Sequence, residues 1–592
     1  MIPPNSSFFD KIGGCPSAMW NGWRNYAKRA SFRKGITPKA PEKTSPTVMI
    51  LYGGGETNLC NVHHAELANH MAKHLWKEHA VLAPVEPVAA LTDAISMGHA
   101  YEDEPRLGAM GYSLMSREIF AFSVVQQVEI NRVDAVIIIT GCDKSVAGGM
   151  LAASWLKHMP VVLLHGGTIR AGCTLAGERI HIETANEASG MLKVGKINES
   201  EHDEILEKSL PSPGGCGVMA TSNTLACMAS ILGMSVLSSA STPAMALDHS
   251  SIHPEKLKEG EKAAETVLKM FSVGKKLEDI VDQRSFANAS VMLHAIGGST
   301  NAVIHLPAIA EGFEIEFALR NIQETQKTPV LLNLLPAGKF IMEDLFEKAD
   351  GFAPLTKYML QNGLIDGSAR TVESDNLAQG VESAPLPNFA AGDEAIIRPI
   401  ENPVKPQSSL FVVQGDHSNK KEVSIAPDGS VFKLSGKRKG FEGPAKVFDF
   451  EDKAIQALMN DEIQAGDVIV LRYQGVSVGC PELLRLTAAL TGMGLDDQIA
   501  VVTDGRLSGV SRGTLAVHCE PEAWRGGPIA LIEDGDVVQL DGDNASLVVK
   551  VSQEEIKKRR RRWTRPTITL PRGPMRVVMQ VIQPLHKGAI WW

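Results

Sequence analysis

Two rhythms of apolar and polar positions divide the chain. Over roughly the first 390 residues, apolar runs bounded by glycine alternate with longer helix-like stretches, the βαβ rhythm of a mainly parallel sheet flanked by helices. Strands are expected at 47–51, 135–140 and 160–164, the last running into His165-Gly166-Gly167, a tight turn. Residues 376–407 then carry Pro385, Pro387, Pro399, Pro403 and Pro406. Such a stretch reads as an interdomain connection and places a boundary near residue 390.

Beyond it the grammar changes to short strands separated by glycine turns, expected at 409–413, 430–434, 467–472, 499–503, 528–532 and 546–551. Helices are expected at 450–459 and 481–490. The reading is therefore an α/β domain over 1–390 and a smaller β-barrel-like domain over 391–592.

Bulk properties narrow the function classes. At 592 residues the chain is too long for one core. A net charge of -9 argues against a general nucleic-acid binder. No run of about 18 apolar residues is present, so no membrane span is expected. Eight cysteines in so long a chain do not make a disulfide framework, which favours a reducing compartment. A cytoplasmic location is expected, with an organellar address left open by the basic, acid-free stretch 20–34. The run from Lys557 to Arg562 follows Glu554-Glu555 and reads as a solvated helix face.

Candidate chemistry lies in three cysteines, each in its own polar, glycine-flanked segment: Cys60 in Asn58-Leu59-Cys60-Asn61, Cys142 in Gly141-Cys142-Asp143-Lys144, and Cys216 in Gly214-Gly215-Cys216-Gly217. Three thiolates can hold an iron-sulfur cluster and leave one iron open as a Lewis acid. The bland alternative is that all three are small buried hydrophobes. Against it, Cys142 ends the apolar run 135–140 and is followed at once by a carboxylate and an amine, and function in parallel α/β sheets sits at strand ends. Cys15, Cys173, Cys227, Cys480 and Cys519 read as structural, and His63 and His64 as packing histidines.

With these segments the chain resembles the dihydroxy-acid and sugar-acid dehydratase family, from about residue 45 to the C-terminus. The landmarks are Cys60-Asn61-Val62-His63, Asp93-Ala94-Ile95-Ser96-Met97-Gly98, Tyr112-Ser113-Leu114-Met115-Ser116-Arg117-Glu118, Cys142-Asp143-Lys144, Gly297-Gly298-Ser299-Thr300-Asn301, Gly443-Pro444-Ala445-Lys446-Val447 and Thr503-Asp504-Gly505-Arg506-Leu507-Ser508-Gly509. The resemblance implies a hydro-lyase that turns a 2,3-dihydroxy acid into a 2-keto acid and assembles as a homodimer or homotetramer. It implies that Cys60, Cys142 and Cys216 ligate a 2Fe-2S cluster. It further implies that Asp93, Asp143, Glu482 and a carbamylated Lys144 surround Mg2+, with Ser508 as catalytic base.

Some positions depart from the family's pattern. Leu59 and Ala147 stand where the family has proline, residues 101–108 are inserted, and the glycine-rich stretch before Glu482 is shortened to Gly475-Val476-Ser477-Val478-Gly479-Cys480-Pro481. Asp93-Ala94-Ile95-Ser96-Met97-Gly98 and Thr221-Ser222-Asn223-Thr224 look like the branched-chain amino-acid dehydratases, whereas Gly141-Cys142 and Ser212-Pro213-Gly214-Gly215-Cys216 lean toward the sugar-acid members. A 2,3-dihydroxy-3-alkyl acid is the expected substrate, as in branched-chain amino-acid biosynthesis. A sugar acid is the alternative, and a non-catalytic or iron-sulfur sensor relative is the alternative of another class.

Overall fold

The computed structural model describes residues 46–55, 58–89, 101–102, 106–434, 440–569 and 573–592. Asp93, Cys15 and the basic stretch 20–34 lie outside the described residues.

In the N-terminal half, β1 (Val48–Gly53), α1 (His64–His79), β2 (Val85–Val88), α2 (Ser116–Asn131), β3 (Ala135–Thr140), α3 (Asp143–Trp155) and β4 (Val161–His165) follow one another along the chain. The four strands form a parallel sheet in the order β2-β1-β3-β4. All of β3 and β4 is buried, as continuous apolar runs must be when helices cover both faces. Register pairs Tyr52 with Ile139, Gly53 with Val88, and Thr140 with His165. The strands therefore end together, and the loops after β1, β3 and β4 leave from one edge of the sheet.

The rest of this half is helical, including α4 (Ile182–Lys193), α5 (Thr221–Ile231), α6 (Pro254–Ser272) and α7 (Ala302–Phe313). Amphipathic α6 lies along α1 and covers the sheet. The proline-rich connection does not hang free. Its Ile397 bridges Leu332, Lys405 bridges Val330, and Arg398 is ion-paired to Asp393.

The C-terminal half is built on a nine-stranded mixed sheet. Its elements in chain order are β5 (Leu410–Val413), β6 (Val423–Ser424), β7 (Gly429–Leu434), β8 (Gly440–Phe448), α8 (Glu451–Met459), β9 (Val468–Leu471), β10 (Glu482–Leu483), α9 (Arg485–Met493), β11 (Ala500–Thr503), β12 (Arg506–Leu507), β13 (Thr514–Glu520), β14 (Val537–Asp541), β15 (Ser546–Val549) and α10 (Gln553–Arg562). The spatial order is β6-β15-β14-β8-β9-β11-β13-β7-β5. β8, β9, β11 and β13 run parallel and the flanks antiparallel. The outermost strands β5 and β6 are consecutive in the chain, so the short link between them draws the two edges together and the sheet curls.

Three expectations need correcting, the first being the single helix at 481–490, which divides into β10 and α9. Residues 528–532 form a 3-10 turn, Pro528–Leu531, rather than a strand, because Pro528 fixes φ and offers no N–H to a ladder. The basic run in α10 is not only a solvated face: Arg559 is buried, with its guanidinium on Asp536 and its Nη1 donating to the Leu531 carbonyl.

Candidate active site

The common edge of the parallel sheet gathers the cysteines. After β1, Asn58 accepts from the Cys60 amide at 3.0 Å, which shapes a single 3-10 turn, and its Nδ2 lies 3.3 Å from Cys142 Sγ. One asparagine thus ties the first cysteine loop to the second. Cys142 caps α3, where Ser145 Oγ accepts from the amides of Gly141 and Cys142 at 2.9 and 2.8 Å.

The third loop closes against the second through glycine. A Cβ on Gly215 would lie 2.5 Å from the Gly141 carbonyl, and one on Gly141 would strike His64 Nε2 at 2.7 Å. A side chain at Gly215 would push the Cys216 loop off the Cys142 loop, and one at Gly141 would displace His64 and Asn61 beside Cys60. Cys60 and Cys142 are buried, Cys216 is half-buried, and the described cysteines form no disulfide. Their sulfurs do not all fall within 4.8 Å of one another. In this arrangement the three thiols therefore do not converge on one common ion position.

Histidines back this edge. His63 Nε2 bonds the Gly166 carbonyl at 2.8 Å, and His165 Nε2 lies 3.2 Å from Ser222 Oγ, which donates to the Gly141 carbonyl at 2.6 Å. Burial lowers the pKa of His63 to about 4 and of His165 to about 3, so both are neutral near pH 7. The expectation that His63 and His64 are packing residues agrees with their place against Gly141 and Gly166, which follow β3 and β4.

Across from the cysteines stands an oxygen-rich cluster assembled from both halves. Lys144 Nζ lies 2.5 Å from Asp143 Oδ2 and 3.2 Å from Glu482 Oε2. Arg506 Nη1 meets the same Glu482 oxygen at 2.7 Å, while its other nitrogens reach Ser113 Oγ and the Cys480 carbonyl. All these charges are buried. Burial first, and then the facing Asp143 carboxylate, raise the pKa of Glu482; Lys144 and Arg506 oppose the rise. Two carboxylates converging on one ammonium already define a cation position, and hard oxygen donors suit magnesium. An ammonium at Lys144 would repel that ion, whereas a carbamate there would add oxygens to the set.

Ser508 enters through the ribbon that pairs β10 with β12, Glu482 opposite Arg506 and Leu483 opposite Leu507. Its amide donates to the Leu483 carbonyl at 2.9 Å. Ser508 is buried and lines one small cavity with Asp143, Cys216 and Glu482. The remaining wall includes Ile182, Ala220, Leu484 and Val510, with Asn186, Thr221 and Ser222 beside them. The structure thus brings together every described residue of the expected set at the loops of one sheet edge and the facing ribbon.

Several residues of this site carry no sequence signal of their own. Asn58 reaches Cys142, and Arg506 reaches Ser113 and Glu482, across stretches of chain that no local pattern spans. Lys433 of β7, fully buried, donates to the Gly509 carbonyl at 2.7 Å, next to Ser508. Asn301 does not cap α7 with its side chain: its Nδ2 donates to Thr221 Oγ1 on the cavity wall. Cys480 is buried, its thiol pushed up to about 12 by burial, and stays protonated. Cys173, expected to be structural, is instead exposed.

Comparison with known proteins follows the same outline. A profile described as dihydroxy-acid/6-phosphogluconate dehydratase N-terminal matches residues 45–380, and its C-terminal counterpart matches 395–589. The chain is 36% identical over 540 residues to a dihydroxy-acid dehydratase of Francisella tularensis subsp. novicida (strain U112), covering 90% of this chain and 91% of that one. A mitochondrial dihydroxy-acid dehydratase, astD, of Aspergillus terreus is 36% identical over 94% of this chain and 89% of its own. That of Pyrobaculum aerophilum is 35% identical over 97% and 98%.

Proposed function

The chain belongs to the dihydroxy-acid/6-phosphogluconate dehydratase family, and on that premise we propose that it dehydrates a 2,3-dihydroxy acid bearing an alkyl group at C3 to the 2-keto acid. The observation that carries the alkyl assignment is the cavity wall of Ile182, Ala220, Leu484 and Val510 beside Ser508. A polyol tail laid on these four side chains would leave hydroxyls there without partners, at a cost of about 1–3 kcal/mol each, whereas an alkyl tail gains from the same contact; Asn186, Thr221 and Ser222 form the polar side of the cavity.

Cys60, Cys142 and Cys216 would hold a 2Fe-2S cluster, and Asp143, Glu482, carbamylated Lys144 and Asp93 a magnesium ion. When bound, these groups would supply Lewis acidity toward the 3-hydroxyl, and toward the carboxylate and 2-hydroxyl, respectively. The protein's own part begins with Arg506, which holds Glu482 in place against Ser113. Ser508, fixed by the hydrogen bond from its amide to Leu483, would first lose its hydroxyl proton to solvent and then, as the alkoxide, take the C2 proton on its Oγ while the 3-hydroxyl leaves from C3. A serine hydroxyl is too weak a base alone, so this assignment depends on the surrounding positive charge. Glu482, Leu484, Ser508 and Val510 from the second half wall this cavity against Asp143, Cys216 and Thr221 from the first.

The test is anaerobic reconstitution with iron, sulfide and magnesium, followed by a keto-acid assay of 2,3-dihydroxy-3-methylbutanoate against a panel of aldonates. Preference for the alkyl acid by about tenfold or more is expected. Faster turnover of an aldonate would overturn the tail assignment, and a reconstituted cluster with no turnover of any acid would overturn the enzyme.

A further inference from the structure

The helix pair behind the cysteine loops carries, at its surface end, a constellation that dehydration does not use. α1 starts at His64 beside the cysteines and ends at His79, and α6 packs along it. His74 Nε2 and His79 Nε2 lie 2.8 and 2.7 Å from the same atom, Oε1 of Glu265 on α6. These three ligand atoms fall within 4.8 Å of one another, and no other group of three His, Cys, Asp or Glu does so among the described residues. One turn earlier on both helices, His70 Nε2 meets Glu261 Oε1 at 2.8 Å.

A single imidazole on a surface carboxylate is an ordinary weak ion pair. Here two rings from one helix converge on one oxygen of another. The two imidazoles and one carboxylate are the donor set of zinc sites that keep an open position, and the exposed side of Glu265 leaves room for water as the fourth ligand. Imidazole donors also select against magnesium and calcium, which prefer oxygen.

We propose that His74, His79 and Glu265 form a binding site for a divalent transition cation of the zinc class, which staples α1 to α6. On binding, each ring places its proton on Nδ1 and presents the Nε2 lone pair, so two N–H···O bonds give way to three metal–ligand bonds. Ligand bonds of about 2.0–2.2 Å set neighbouring donors roughly 3.3 Å apart, so the three side chains open by about half an ångström. The staple acts on both helices that frame the cysteine loops: Lys256 of α6 donates to the His165 carbonyl at 3.0 Å and the Ser239 carbonyl at 3.1 Å.

The experiment is calorimetric titration of Zn2+ into the full chain, into His74→Ala, His79→Ala and Glu265→Gln, and into a variant with Cys60, Cys142 and Cys216 all changed to serine. Each surface variant should lose one zinc equivalent or at least tenfold in its affinity, together with the zinc-dependent rise in thermal midpoint seen in the unsubstituted chain. The triple-serine variant should keep that site. Zinc stoichiometry and affinity unchanged in His79→Ala would overturn the proposal, as would zinc binding that vanishes from a folded triple-serine variant. If that variant does not fold, the count in His79→Ala against the parent decides alone.

Discussion

Ser508 and Lys433 show how much a single side chain depends on its neighbours. Ser508→Ala removes one hydroxyl from the cavity and touches no sulfur, so iron and sulfide content should stay while kcat falls about 10²- to 10⁴-fold. Wild-type turnover in that variant would remove the serine from the reaction. Lys433 holds the Gly509 carbonyl, and burial lowers its pKa to about 7 against the pull of Glu183. Lys433→Met should therefore loosen the turn that carries Ser508 and lower kcat about 10- to 100-fold with iron content unchanged. Lys433→Arg should restore part of it, and full activity in Lys433→Met would rule out the positioning role. On the proposed ligand assignment, Cys142→Ser should fail to assemble a 2Fe-2S cluster on reconstitution, read as loss of iron, sulfide and visible absorption.

Among the elements, the crossing of α4 and α9 joins the two halves of the chain at the cavity. Ile182 and Asn186 of α4 and Leu484, just before α9, share its wall. The helices approach closely because each offers glycine at the crossing: a Cβ on Gly190 would lie 2.3 Å from the Ala489 carbonyl, and one on Gly492 would lie 2.1 Å from that of Glu187. Backbone cannot yield as a flexible side chain does. Gly492→Val should cost about 1–3 kcal/mol in chemical denaturation and lower activity by widening the cavity. Unchanged stability together with unchanged activity would show that the crossing has slack. Residues 481–490, expected as one helix, divide here into β10 and a later helix, α9. The two strand residues serve the ribbon with β12, a partner some twenty positions away that local periodicity cannot reveal.

At the scale of the whole molecule, buried neutral histidines make the fold sensitive to acid. His294 bridges the halves, with Nδ1 2.6 Å from Ser408 Oγ just before β5 and Nε2 2.9 Å from the Ile322 carbonyl. Burial lowers its pKa from 6.5 to about 4, with the Ile322 carbonyl opposing. The unfolded chain therefore binds the extra proton between those values, so stability is full above pH 6.5 and declines as pH falls toward 4. Urea midpoints should drop across that window, and His294→Gln should flatten the drop; an equal slope in the variant would assign the acid sensitivity elsewhere. The chain's end also returns to its first half, where Arg117 Nη2 donates to the carbonyls of Gly588 and Ala589 at 2.9 and 3.1 Å.

Local pattern alone determined the strand 135–140 to the residue, the change of grammar near the proline-rich connection, and the three glycine-flanked cysteines as candidates for shared chemistry. These are legible because a buried parallel strand is a continuous apolar run, and because Cys142 and Cys216 stand beside glycines, where backbone can pass closely. Tertiary structure alone decided that Asn58 would reach Cys142, and that Lys144 would meet Glu482 across 338 positions of sequence. It alone decided, too, that Arg506 and Lys433 would hold Glu482 and the Ser508 turn. Each of these contacts joins residues whose own neighbourhoods are unremarkable: their meaning comes from the parallel register and the curl of the second sheet, which set distances that no window of sequence contains.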